Sequence, residues 1–293
     1  MEATDRSSIF PLKKIMFATD FSPVAMRAAQ YVRALAQKFS SAVILVHVYS
    51  SFDEEISDSI AAEQQRCRNL LTAQQHEFEV AGITTSISLT SECPPPDALL
   101  LKERQLAPDL IVAGTESKSP VSRFFLGSTA EHLIRNASVP VLTVGPNSKP
   151  ANHGPLILKR IVFATDFSDG SHRAGAFGVA LTAESGAHLW ICHVAGAEGA
   201  HTGTQPATSD AREQRFREEL ARLLPSGSYE WCNTESYSQH GSPGRGILDT
   251  AARVGADLIV MGARSRSFWL LHVRRGVTQD VLAHATCPVL TIH

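Results

Sequence analysis

Positive charge is not in excess in this chain: 27 Lys and Arg stand against 29 Asp and Glu over 293 residues, a formal net charge of -2. A dedicated nucleic-acid binder needs a surplus of cations to displace counterions, so no nucleic-acid partner is expected. Long apolar runs are missing as well. Stretches such as Leu110–Ala113 fall far short of the roughly 18 residues that cross a bilayer, so no membrane partner is expected. Cysteine is scarce and scattered: Cys67, Cys93, Cys192, Cys232 and Cys287 are odd in number and form no CxxC. That excludes a disulfide framework and a zinc knuckle and fits a reducing, cytoplasmic setting. The first residues, Met1 to Arg6, include acids and have no apolar stretch, so they are not expected to be a secretory leader. No GxxxxGK[ST] cradle exists. His47 and His193 have no carboxylate or cysteine at metal-ligand spacing, and they read as core or edge histidines. No Ser-His-Asp or Cys-His set is legible in the residue order, so no catalytic residue is assigned.

What is present is an ordinary globular composition, 43% hydrophobic and 19% charged, enough to bury a core and exclude wholesale disorder. At roughly 150 residues per domain, the length points to two domains. The chain bears this out internally. Lys13–Ser22 (KKIMFATDFS) and Lys159–Ser168 (KRIVFATDFS) agree at eight of ten positions, 146 residues apart. Pro108–Ser117 (PDLIVAGTES) matches Ala256–Ser265 (ADLIVMGARS), and PVLT recurs from Pro140 and Pro288, both at an offset of 148. Three matches in one order at nearly one offset define a tandem repeat. The polar, Pro- and Gly-containing stretch from Gly145 to Asn152 is the expected linker, giving domains 1–147 and 153–293.

Each copy alternates short apolar runs with helical periodicity. In the first, strands are predicted at Ile15–Thr19, Val43–Val48, Ile83–Leu89, Leu110–Ala113 and Val139–Val144. Between them lie a helix started by Ser22 and Pro23, a polar solvated helix at Glu54–Val80, and helices at Asp97–Gln105 and Ser128–Asn136. The second copy predicts strands near Arg160–Ala164, Ala187–Val194, Tyr229–Glu235, Leu258–Met261 and Val289–Ile292. Strand-helix alternation with apolar strands implies an α/β chain, two tandem Rossmann-like doubly wound domains, each on a five-stranded parallel sheet. Ligands of such sheets sit beyond the carboxyl ends of the strands, where strand order reverses.

At those ends the first copy carries Asp20, Gly114 and the segment Gly127-Ser128-Thr129 that opens a helix. A glycine permits close backbone approach, a bare helix N-terminus attracts phosphate, and Asp20 can accept from a base or ribose. Each also has a purely structural explanation. Gly114 and Asp20 can be turn residues, and Ser128-x-x-Glu131 reads as a capping box. One helix terminus favours an anion by only about 0.3–1 kcal/mol, whereas micromolar binding takes about 8 kcal/mol. Any site therefore needs all these groups together. Gly241, Gly244 and Gly246 have the wrong spacing for a dinucleotide fingerprint and read as a tight turn.

The order strand-Asp, then Gly-x2-Gly-x9-Gly-Ser/Thr, then helix and a Pro-Val-Leu strand resembles the universal stress protein family across essentially the whole chain. The resemblance implies ATP or a related adenine nucleotide, with or without Mg2+, as cofactor. It also implies pairing through the final strands, here as an intramolecular domain-domain pseudo-dimer, with a homodimer also open. Carried over by position, the binding residues are Asp20, Val48 (against adenine), Gly114, Ser117, Gly127, Ser128 and Thr129. Ser117 replaces the middle glycine. Its Cβ makes a positive φ cost about 1 kcal/mol, yet it is small enough for phosphate to approach. The second copy keeps Asp166, Val194 and Gly262 but has Ser265 in the middle position and Arg275 in the last, before Gly276. Arg275 would obstruct the phosphate, so this copy is expected to bind weakly, differently or not at all. Arg264, Arg266, His272, Arg274 and Arg275 around Phe268-Trp269 form a basic loop, read as a solvated surface or as an anion holder. The implied function is a stress or signalling protein that binds nucleotide mainly in its first domain. Two alternatives stay open: a slow ATP-hydrolysing or phosphoryl-transfer enzyme using Glu116 or Lys118, and a ligand-free interaction module.

Overall fold

The computed structural model describes residues 12–49, 57–91, 94–115, 127–151, 158–195, 209–223, 233–263 and 276–293. The chain divides into two compact units, Leu12–Leu156 and Ile157–His293. In the first, β1 (Lys14–Ala18), β2 (Ala42–Val48), β3 (Thr85–Thr90), β4 (Leu110–Gly114) and β5 (Val141–Val144) alternate with α1 (Pro23–Phe39), α2 (Ser57–Val80), α3 (Pro95–Leu106) and α4 (Ser128–Asn136). In the second, β6 (Arg160–Thr165), β7 (His188–Ala195), β8 (Asn233–His240), β9 (Leu258–Gly262) and β10 (Val289–Ile292) alternate with α5 (Asp169–Ser185), α6 (Ser209–Leu223), α7 (Pro243–Val254) and α8 (Val277–His284).

The first sheet runs β3-β2-β1-β4-β5 and the second β10-β9-β6-β7-β8. Every registered pair is parallel. The central strands show why. Ile15, Met16 and Phe17 are fully buried in succession, as are Ile161, Val162 and Phe163, so both faces of each sheet are covered. Helices α1 and α2 lie side by side, with Gln37 Nε2 donating to Ala81 O at 3.1 Å, while α3 and α4 pack together. Right-handed crossovers place these two pairs on opposite faces. The strand order reverses at β1, which lies between β2 and β4, so the crevice lies at their carboxyl ends.

Local chemistry starts and stops the elements. Ser22 caps α1 by accepting from Ala25 N at 3.2 Å, with Pro23 in the first turn, and Ser168 caps α5 by accepting from Ser171 N at 3.4 Å. Gly186 and Gly255 close α5 and α7 at φ of 63° each. At the opposite edge, Asp109 Oδ2 accepts from the amides of Lys13 and Lys14 at 2.8 Å each, and Asp257 Oδ2 accepts from those of Lys159 and Arg160 at 2.9 Å each. The Asp of the repeated Asp-Leu-Ile-Val run is therefore a clamp that aligns the starts of two neighbouring strands.

Two expectations are corrected. The third strand of the second copy runs at Asn233–His240, past the expected end at Glu235, and the expected start at 229–232 lies outside the described residues. As the outermost strand, its position is fixed by the backbone ladder to β7, from His188↔Asn233 to Ala195↔His240, rather than by apolar content. The helix after the fourth strand is capped by Gly127, not Ser128, so the capping box is absent. Its acid is engaged elsewhere, because Glu131 pairs with Arg135 one turn on.

Two substitutions test the packing. Glu103, 3% exposed, accepts through Oε1 from Ser138 N (2.6 Å), Ser138 Oγ (2.7 Å) and Val139 N (3.2 Å), tying α3 to the approach to β5. Glu103→Ala is expected to lower the stability of the first domain in urea titrations by about 2–3 kcal/mol, and Glu103→Gln by less. A Cβ at Gly262 would stand 2.6 Å from the Gly170 carbonyl carbon, against 3.0 Å from Ala25 N for one at Gly114. Gly262→Ala should cost about 1–3 kcal/mol in the thermal transition of the second domain, and Gly114→Ala less.

Candidate functional site

The site is built on the turn after β1. Thr19 Oγ1 accepts from Phe21 N at 3.2 Å, Asp20 Oδ1 accepts from Ser22 N at 3.1 Å, and Ser22 then caps α1. Phe21 sits at φ 60°, a left-handed conformation that costs a non-glycine residue about 1–2 kcal/mol. Two contacts hold it there. Its ring packs on the His47 imidazole with centroids 4.7 Å apart, and His47 Nδ1 lies 2.7 Å from Thr19 O. The acceptor is a carbonyl, so the proton is on Nδ1. The second copy repeats the device with Phe167 at φ 59°, its ring 4.7 Å from that of His193, and His193 Nδ1 2.9 Å from Thr165 O.

This turn leaves Asp20 exposed at the end of β1. Val48, half-buried, ends β2 and pairs with Thr90, two residues past the last β1–β2 rung at Ala18↔Val46. Alternation along β2 puts Val48 on the face opposite His47, the face that carries α3 and α4. Gly114 ends β4, and the close approach there is that of the first turn of α1.

Gly127 caps α4 from an extended conformation at φ -60° with no side chain to offer, Ser128 is exposed and Thr129 half-exposed. Among the described residues no acceptor faces the amides of Ser128 and Thr129, while Glu131 N is taken by Gly127 O. A bare, positive helix end of nine residues results. Asp20, Val48 and Gly114 thus share one edge across three adjacent strands, and α4 begins there because it follows β4 in a right-handed crossover. Ser117, Glu116 and Lys118 lie outside the described residues, so the middle of the phosphate loop is not placed.

In the second copy Asp166 follows β6, Val194 lies in β7 against Gly246 of α7, Gly262 ends β9, and Gly276 caps α8. Here Gln279 Oε1 accepts from Gly276 N at 3.4 Å, partly occupying the helix start. Ser265, Arg275 and the basic loop of Arg264, Arg266, His272, Arg274, Phe268 and Trp269 lie outside the described residues. The sequence reading set His47 and His193 aside as ordinary histidines. Their recurrence 146 residues apart, opposite a recurring Thr-Asp-Phe-Ser, was the signal that they shape the turn.

Two successive doubly wound units, each with an acid after its first strand and a glycine-capped helix after its fourth, define a tandem α/β protein with crevices at the strand-order reversal. The chain belongs to the universal stress protein family, whose sequence profile matches residues 11–145 and again 158–293. A universal stress protein of Methanocaldococcus jannaschii is 32% identical over 142 residues, 45% of this chain and 81% of its own length. Another, from Thermus aquaticus, is 28% identical over 134 residues, 45% of this chain and 98% of its own. Each of these relatives matches about half of the chain. The crystal structure of a universal stress protein from Archaeoglobus fulgidus shares the fold, with a TM-score of 0.74, 19% identity and 97% coverage of both chains. Among the described residues no helix is long and apolar enough to cross a membrane, and no cluster of three or more metal-ligating side chains occurs.

Burial lowers the pKa of His47 below its ordinary 6.5, outweighing the hydrogen bond to Thr19 and the charges of Asp20 and Glu63 that raise it, while Arg66 also lowers it. The folded state therefore favours neutral imidazole. Its contribution is complete above about pH 6.5 and is lost as pH falls towards the folded value, because the unfolded chain then binds the proton better. The melting temperature of the first domain should fall between pH 7.5 and 5.5, and His47→Gln should flatten that dependence in calorimetry.

Proposed function

We propose that this chain is a stress or signalling protein that binds ATP or a related adenine nucleotide in its first domain, without dedicated catalysis. The nucleotide would lie between Asp20 and the segment from Gly114 to Thr129. The observation that carries this reading is the start of α4, which has no side-chain cap, on the same sheet edge as the exposed Asp20. The residues fit such a ligand. The amides of Ser128 and Thr129 and the helix dipole suit a phosphate, Asp20 offers an acceptor for a base or ribose donor, and Val48 offers an apolar wall. Binding would change the surface shown to partners. The second domain serves as the intramolecular pairing partner, a reading supported by two family domains in one chain.

Isothermal titration of the full chain with ATP, ADP and AMP tests the site. One nucleotide per chain is expected, with affinity reduced at least tenfold in Gly127→Arg, equivalent to about 1.4 kcal/mol. Equal binding by the wild type and the variant would remove the assigned pocket, and two sites per chain would remove the assignment to the first domain.

A further inference from the structure

The two copies differ at one position that bears directly on their equivalent acids. Ser171 of the second copy aligns with Ala25 of the first at the offset of 146. Both are buried, at 3% and 1% exposure. The Ser171 hydroxyl accepts from Asp166 N at 3.2 Å and donates to Asp166 Oδ1 at 2.7 Å. The Ser168 hydroxyl donates to the same Oδ1 at 2.6 Å, and Ser168 N does so at 3.1 Å. Asp166 Oδ1 therefore carries three donors and is held in a closed ring within its own turn. In the first copy Asp20 Oδ1 takes one donor, Ser22 N at 3.1 Å, and among the described residues Oδ2 takes none. Alanine at position 25 has no hydroxyl with which to complete the ring.

We propose that this position decides which of the two copies recognises a nucleotide: Ser171 ties the Asp166 carboxylate into the turn, and Ala25 leaves the Asp20 carboxylate free to turn towards a ligand donor. The inference rests on the reading of Asp20 as a nucleotide contact. It is independent of Arg275, because it concerns the base or ribose end of the site rather than the phosphate end. A carboxylate oxygen already sharing its charge among three donors is a weaker acceptor for a fourth, and re-aiming it breaks two hydroxyl bonds. Close packing supports the same division. Gly170 stands where the first copy has Val24, and a Cβ added there would lie 3.2 Å from Ala263 O, a tight contact between α5 and the end of β9. Ser171 and Ala25 are positioning residues that act through the neighbouring acid.

Two measurements on the full chain test it. The first needs no ligand: carbodiimide coupling of carboxylates, read by peptide mass spectrometry. Asp20 is expected to label several-fold faster than Asp166, and Ser171→Ala to bring Asp166 up to the Asp20 rate. Equal labelling in the wild type would overturn the inference whatever ATP does. The second is ATP titration of Ala25→Ser, which the second copy shows the turn can hold. Affinity is expected to fall roughly five- to tenfold. In an Asp20→Asn background the same substitution should have no further effect, which a general loss of structure would not reproduce. Unchanged affinity in Ala25→Ser, beside normal wild-type binding lost in Asp20→Asn, would overturn the inference and leave the proposed function standing. A wild type that binds no adenine nucleotide would overturn both.

Discussion

The backbone of α1 passes so near the end of β4 that a side chain there would crowd it: a Cβ at Gly114 would lie 3.0 Å from Ala25 N, 3.1 Å from Val24 C and 3.2 Å from Ala25 Cα. That contact fixes where α1 begins, and the rest of the candidate site follows from it. The chain must leave β1 and enter a helix seated against a strand on the far side of the reversal point, within four residues, Thr19 to Ser22. It does so by forcing Phe21 into a left-handed conformation and offsetting that strain with the Phe21–His47 contact and the His47–Thr19 hydrogen bond. Asp20 is thereby left facing outward at the point where doubly wound sheets take their ligands. The second copy builds the same junction from Phe167, His193 and Gly262, which shows that the arrangement is a property of the fold unit and not of one binding site.

Because both copies share the scaffold, function must lie in what differs. The acid after the first strand accepts one backbone amide in one copy and is ringed by two serine hydroxyls in the other. Among the described residues the glycine-capped helix start meets no side-chain acceptor in one and is met by Gln279 in the other. Both differences diminish the second copy at groups that would touch a ligand while leaving its core intact, since Phe163, Ile161 and Val260 are as buried as Phe17, Ile15 and Val112. The fold of the second copy does not depend on these groups, because burial of apolar surface holds it together.

Much of this was legible in the residues. Fully apolar strands of four to six residues can only be central strands covered on both faces, so the parallel sheet followed from composition and spacing. The repeat offset made two such units unavoidable. The helix starts at Ser22 and Ser168 were readable because capping is chemistry between neighbours in sequence. Site residues were legible as candidates at strand ends, but their roles were not. Gly114 read as a turn glycine or an opening for a ligand, and the first turn of α1 lies against it. Ser128 read as a cap, and Gly127 caps instead.

The sequence by itself determined the element order, the duplication, the apolar cores and the family, because each depends on patterns within a few residues or on repetition along the chain. Tertiary structure alone decided the strand order β3-β2-β1-β4-β5, the register that carries β8 to His240, the service of His47 to the turn of Phe21, and the tying of Asp166 by Ser171. Each of these is settled by contacts between segments distant in the chain or by side-chain direction in a turn, and no local periodicity encodes either.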